Sequence, residues 1–321
     1  MRALAVREEA RANLFRTVWQ PVLAETLFDA PTNVPALARA DRLTFLIEWN
    51  RLFETVHGDV SARLVDLAKR ARMDQFVSDF VVGGNARQRL LGIVTLGHLR
   101  MPGYWPVLRA IAENDSAVVS LAATRGLLQT DAAKGVDELL RLYTSRQDWP
   151  VHWVAKLLYE VGPDATSIPL ASAVHDAANA QNWELLSRLV KLLPTAHASV
   201  ASPVATFILE TTKDEDVVKD CLRALNDSSG IALARAFLKH RTPHIRIAAV
   251  VTLGRLGLPT EIPDIIEMLR DSEWWVRYRA AQALVGMPYV DDDELNQVEQ
   301  QLAGEAGLEV LRHVRAEGRL K

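Results

Sequence analysis

The phrase VTLGHL at residues 94–99 returns as VTLGRL at residues 251–256, 157 positions later. That interval is about five periods of roughly 31 residues, the scale on which stacked-repeat proteins repeat themselves. The chain in between keeps the beat. Leu96 is followed by Leu127 and Leu158 at steps of 31, then less regularly by Leu192 or Leu193, Leu225, Leu253 and Leu284, which allows seven units with spacings of 28 to 35.

Each unit reads alike. A hydrophobic residue is followed four positions on by a small one and four further by a leucine, as in Ile245, Ala249, Leu253 and in Val276, Ala280, Leu284. Steps of four fall on one face of a helix, and the small middle residue predicts close approach of a neighbouring helix. A turn with Gly or Pro comes next, such as GLPTE after residue 256, and then a second apolar helix such as IPDIIEMLRD. No segment carries the alternation of a strand. Helices joined by short turns, each unable to bury its face alone, predict an all-α fold in which stacked pairs share a continuous core.

Composition limits what such a fold can do. The chain is 49% hydrophobic and 24% charged, with a net charge of −3 and a pI near 6.3, short of the basic footprint of a domain that binds nucleic acid as a whole. Its one cysteine, Cys221, excludes an intramolecular disulfide and, at the place where other units put Ala249 or Ala280, reads as a small buried thiol rather than a nucleophile. Charges at Arg2, Arg7, Glu8, Glu9 and Arg11 break up the apolar core a secretion signal needs. The longest uncharged run, from Leu192 to Leu209, contains two prolines and a histidine and reads as a helix–turn–helix rather than a membrane span.

The run PTEIPDIIEMLRDSEWWVRYRAAQALVGM resembles the HEAT repeat, in particular the short bacterial type also called phycobilin-lyase-like, with its IPxLxxLL helix, terminal Asp and VRxxAAxAL helix. The resemblance is tight over residues 244–287, recognisable over 85–130 and diffuse over 131–240. It implies a right-handed α-solenoid of about seven HEAT-like helix pairs: an N-terminal helical cap over residues 1–84, repeats over 85–304 and a capping helix over 305–321. It also implies a hydrogen bond between Asp271 and Arg277, six residues later, and a concave surface lined by the VR helices. On that surface it places a basic stripe of Arg89, Arg125, Lys156, Lys191, Arg223 and Arg246.

Chemistry-bearing motifs are absent from the sequence. The eight histidines are dispersed, no His-Glu dipeptide of the HEAT-like hydroxylases occurs, and the residues 83–85, GGN, lack the Lys-Ser or Lys-Thr of a phosphate loop. Asp291, Asp292, Asp293 and Glu294 precede a helix and read as its cap, not as a cation site. Neither a metal nor a cofactor is expected, and the chain is not expected to be an enzyme. Trp149, Trp183 and Trp274 or Trp275 recur just before the second helix of a unit, which predicts packing between repeats. Tyr278, Arg279, Gln282 and the second tryptophan exceed what the repeat requires.

The leading expectation is a non-catalytic scaffold that holds an acidic segment of a partner protein along its concave face, through Trp274, Trp275, Tyr278, Arg279, Gln282, Arg246, Arg223, Lys191 and Lys156. Bacterial proteins that resemble this ending accompany membrane glycosyltransferases of envelope polysaccharide systems and carry an amino-terminal anchor. That resemblance implies a cytoplasmic protein, or the soluble part of one held at the inner membrane. Two alternatives come from related repeat families: an alkylpurine DNA glycosylase-like protein, disfavoured by the acidic pI, and a bilin lyase, for which no tetrapyrrole-specific motif is present.

Overall fold

A computed structural model of the chain describes residues 2–319, and the side chains of residues 15–318. All regular structure among the described residues is helical, and helices pair in sequence order. The chain divides into two compact units, residues 1–153 and 154–321.

In the first unit, α1 (Arg2–Phe28), α2 (Arg42–Thr55) and α3 (Asp59–Arg70) precede two packed pairs, α4 (Met73–Gly83) with α5 (Ala86–Leu99) and α6 (Trp105–Asn114) with α7 (Ala117–Thr130). Helix α8 (Ala132–Ser145) packs on α7, and α9 (Val151–Val161) begins at the unit's end. The second unit continues with α10 (Pro163–Asn179) and α11 (Trp183–Val190), α12 (Ala198–Thr211) and α13 (Glu215–Ala224), α14 (Ile231–Ala236) and α15 (Pro243–Leu256), α16 (Ile262–Glu267) and α17 (Trp274–Val285), and α18 (Asp292–Gln301) and α19 (Ala306–Arg319). The second helices of these pairs, α11, α13, α15, α17 and α19, each pack on the next and form one layer of the unit.

The repeat beat is a core beat. Leu96, Leu127, Leu158, Leu192, Leu193, Leu225, Leu253 and Leu284 are all fully buried, as are the triads Ile245, Ala249, Leu253 and Val276, Ala280, Leu284. The recurring phrase VTLG has a physical reading at each position. Thr95 and Thr252 are buried and donate hydrogen bonds, Thr95 to the Leu91 carbonyl and Thr252 to the Leu222 carbonyl of α13. The leucine enters the core. The glycine lets two helices touch: a Cβ on Gly97 would stand 2.7 Å from the Gly126 Cα of α7, and one on Gly254 2.5 Å from the Ala283 Cβ of α17. Two close contacts of this kind fix the spacing of neighbouring second helices in both units.

Polar devices close the helix ends. Asn85 and Gln88 form a capping box on α5, and Asp291 and Glu294 form another on α18, so the acidic run at 291–294 is a helix cap. Asp292 in that run pairs with Arg315 of α19 at 2.7 Å. Cys221 is fully buried, and burial raises its thiol above the usual range. Among the described residues no helix is long and apolar enough to cross a membrane.

Candidate interaction surface

The stretch around α17 shows how a repeat-encoded framework carries residues the repeat does not need. Residues 271–273 are outside any helix, and α17 starts at Trp274. Val276, Ala280 and Leu284 face the core, which turns positions 274, 275 and 278 away from it. Trp274 stacks on Tyr278 four residues on, with centroids 5.1 Å apart and planes 12° apart, while Trp275 meets both rings edge-on at 4.6 and 5.9 Å. Tyr278 donates a 3.0 Å hydrogen bond to Glu317 of α19. That acceptance, together with burial and Glu317's charge, raises the phenol's pKa. The aromatic group is thereby tied to two helices while Trp274 remains 42% and Trp275 63% exposed.

The tryptophans therefore do not behave as one class. Trp149 is buried to 2% and packs beneath the Arg146 guanidinium, in keeping with a packing role. Trp183 is 45% exposed, and with Trp274 and Trp275 it departs from the expected packing between repeats. Trp183 and Trp274 are the first residues of their helices, whereas Trp149 stands two residues before α9.

The bond expected between Asp271 and Arg277 takes a different form. The Arg277 Nη1 donates to the backbone carbonyls of Asp271, at 2.7 Å, and Ser272, at 3.0 Å. The Asp271 carboxylate instead belongs to the preceding repeat: Arg246 Nε reaches its Oδ2 at 2.7 Å and Arg246 Nη2 its Oδ1 at 2.8 Å. Arg246 also bonds the carbonyls of His240 and Arg241, six and five residues back, just as Arg277 bonds those of residues 271 and 272. Burial raises the Asp271 pKa, but the Arg246 bonds, the Glu273 amide and the charges of Arg246 and Arg277 outweigh it and hold the carboxyl below its ordinary value. In the first unit Arg89 and Asp115 repeat the pairing at 2.5 Å. The short-range contact is made to a backbone oxygen, so any residue serves there. This is why His240 can stand where Asp271 stands.

Most of the expected basic stripe lies beside the protein's own acids. Arg125 lies 3.5 Å from Glu54, and Lys191 and Arg223 lie 3.7 and 3.6 Å from the buried Asp220. Burial raises the Asp220 pKa against the pull of Lys191, Lys219 and Arg223. Arg246 is 12% exposed in its pair with Asp271. Lys156 lies on α9, part of its surface open to water. Arg279 is exposed and donates to the Gln282 side chain at 2.9 Å, one helical turn on. Of the candidate binding residues, the structure gathers Trp274, Trp275, Tyr278, Arg279 and Gln282 on one helix, while most cations of the other helices serve as bridges within and between repeats.

No curated protein is significantly similar to the chain. Residues 208–285, from the end of α12 through α17, match the family model of HEAT repeats, so the chain is an all-helical protein with a HEAT-repeat region that includes the aromatic group.

Proposed function

We propose that the protein is a non-catalytic interaction scaffold whose partner protein docks on Trp274, Trp275 and Tyr278. The observation that carries this reading is the pair of half-exposed tryptophans fixed by stacking and by the Tyr278–Glu317 bond at the start of α17. Large rigid aromatics exposed to water are where association energy concentrates, because each buries much area and loses little side-chain freedom. HEAT repeats support the same reading, since stacked helices offer long surfaces rather than deep catalytic clefts. An acidic segment of the partner would meet Arg279 at the edge of this patch. The ion-paired cations elsewhere weigh against binding of a phosphate backbone, which needs several uncommitted ones.

The test compares the proteins bound by wild type with those bound by a Trp274→Ala, Trp275→Ala double variant, followed by titration of the purified partner. Loss of two such anchors is expected to weaken binding at least ~30-fold, with an unchanged melting transition. Arg279→Glu should have a smaller effect, of several-fold. A partner retained at full affinity by the double variant would overturn the reading.

A further inference from the structure

The first unit contains an open surface pocket of about 430 Å³ between α3 and the end of α5, with the buried Phe53 and Leu99 at its base. This volume lies within the range of small-ligand sites. The sequence builds it in three steps. Helix α3 buries Leu64, Leu67 and Ala68 in the core and turns a second face, positions 62, 65, 66 and 69, toward the pocket. Gly58, at φ +66°, turns the chain back between α2 and α3. Opposite, α5 ends at Leu99, and Arg100 takes the left-handed conformation, φ +50°, with its amide on the Gly97 carbonyl.

The floor is held rigidly. Phe53 stacks on His98 at 4.4 Å, and the His98 Nδ1 lies 2.9 Å from the Asn50 Oδ1. Asn50 in turn donates to the Thr95 hydroxyl and the Leu46 carbonyl. The walls are apolar at Phe53, Val65 and Leu99. The rim carries Asp66, Lys69 and Arg100. Asp66 has Arg70 at 3.9 Å, whereas the Lys69 and Arg100 side chains have no ion pair or hydrogen bond with any described residue. An open pocket with an apolar base and two uncommitted cations at its edge matches one chemistry.

We propose that this pocket binds a small amphiphilic carboxylate, its hydrocarbon body against Phe53, Val65 and Leu99 and its carboxylate between Lys69 and Arg100. The Asp66 carboxylate in the same rim favours a monoanion over a phosphate ester or other dianion, since it repels the second charge. An apolar body is required as well, because a bare anion would leave the walls wet. This site lies wholly within the first unit and is independent of the aromatic group on α17.

Calorimetric titration of the full chain with octanoate, octanol and inorganic phosphate tests it. Octanoate should bind saturably, octanol about ten-fold more weakly and phosphate undetectably. Arg100→Gly removes one cation and relieves the left-handed backbone, so the fold should persist while octanoate affinity falls about ten-fold toward that of octanol. Val65→Trp should abolish binding of both organic probes by filling the pocket without changing its charge. Phosphate binding as well as octanoate, octanol matching octanoate, octanoate affinity unaffected by Arg100→Gly or Val65→Trp, or no binding by any probe would each overturn the proposal.

Discussion

Arg246 on α15 and Arg277 on α17 are the fourth residues of adjacent helices in the same layer, and each donates to the two carbonyls six and five residues back. They differ in what faces the rest of the guanidinium. Arg246 closes on Asp271 with Nε and Nη2, while the Arg277 Nε is buried without a hydrogen-bond partner among the described residues. The two helices thus share a core and a capping bond but not an ion pair. The repeat specifies the first two through local spacing, whereas the third needs an acid contributed from the following unit, 25 or 26 residues on. The aromatic group appears on the helix that lacks this pair, at positions free of the repeat's demands.

Breaking the closed rung should have the largest effect. Asp271→Ala leaves the Arg246 fork, 12% exposed, without its counter-charge, and removal of one partner of a buried pair costs about 3 kcal/mol. Urea denaturation at neutral pH measures it. Because the folded Asp271 pKa lies below the ordinary 3.8, its stabilisation is present in full above the unfolded value and is lost as pH falls through the folded one. Wild type should therefore shed this part of its stability below about pH 4, and Asp271→Ala should show no corresponding loss. A variant as stable as wild type at pH 7 would mean that the Arg246–Asp271 pair contributes nothing.

Forcing apart the helices that carry the two arginines should rank next. A Cβ at Gly254 would fall 2.5 Å from the Ala283 Cβ and 3.0 Å from its Cα, so Gly254→Val must displace α15 from α17. Overpacking of this kind costs about 2 kcal/mol. Adding Ala283→Gly should restore part of the loss, measured by the same denaturation. Failure of that rescue would place the strain elsewhere than at this contact.

The sequence carries the fold through residues whose partners are close along the chain or recur at fixed intervals. The period of roughly 31, the triads at steps of four and the glycine of VTLG all correspond to buried positions or helix contacts, because packing of stacked units repeats as the units do. The aromatic group is legible as an excess over the pattern, and Tyr278, Arg279 and Gln282 do share a helix with Trp274 and Trp275. Its exposure is not legible, since a tryptophan near a helix start can fold inward, as Trp149 does before α9, or outward, as Trp274 does. The pairing of Asp271 escapes the sequence for a related reason. An arginine six residues away looks like its partner in one dimension, but the side chain of Arg277 finds a backbone oxygen there, while the competing Arg246 is 25 residues distant. The pocket beside α3 left no mark in the sequence, because Phe53, Lys69 and Arg100 share neither a helix nor a spacing.

Completing the open rung should give the smallest effect and the most direct test of the register. Ala303 is exposed, three residues before α19, where Asp271 stands three residues before α17. It also follows Arg277 by 26 positions, the interval between Arg89 and Asp115. By this register a carboxylate introduced at this position is expected to reach the unpartnered Nε of Arg277 as Asp271 reaches that of Arg246. Ala303→Asp should therefore stabilise the protein by about 1 kcal/mol, the size of a partly buried charge-assisted hydrogen bond less the cost of ordering the side chain. A double-mutant cycle with Arg277→Gln isolates the effect: the gain should vanish when the arginine is replaced and diminish with added salt when it is present. A gain that persisted without the arginine would mean that the new carboxylate acts only as a cap on α19. Coupling between the two positions would establish that the arginine ladder is limited at this point by one missing carboxylate and not by a change in helix geometry.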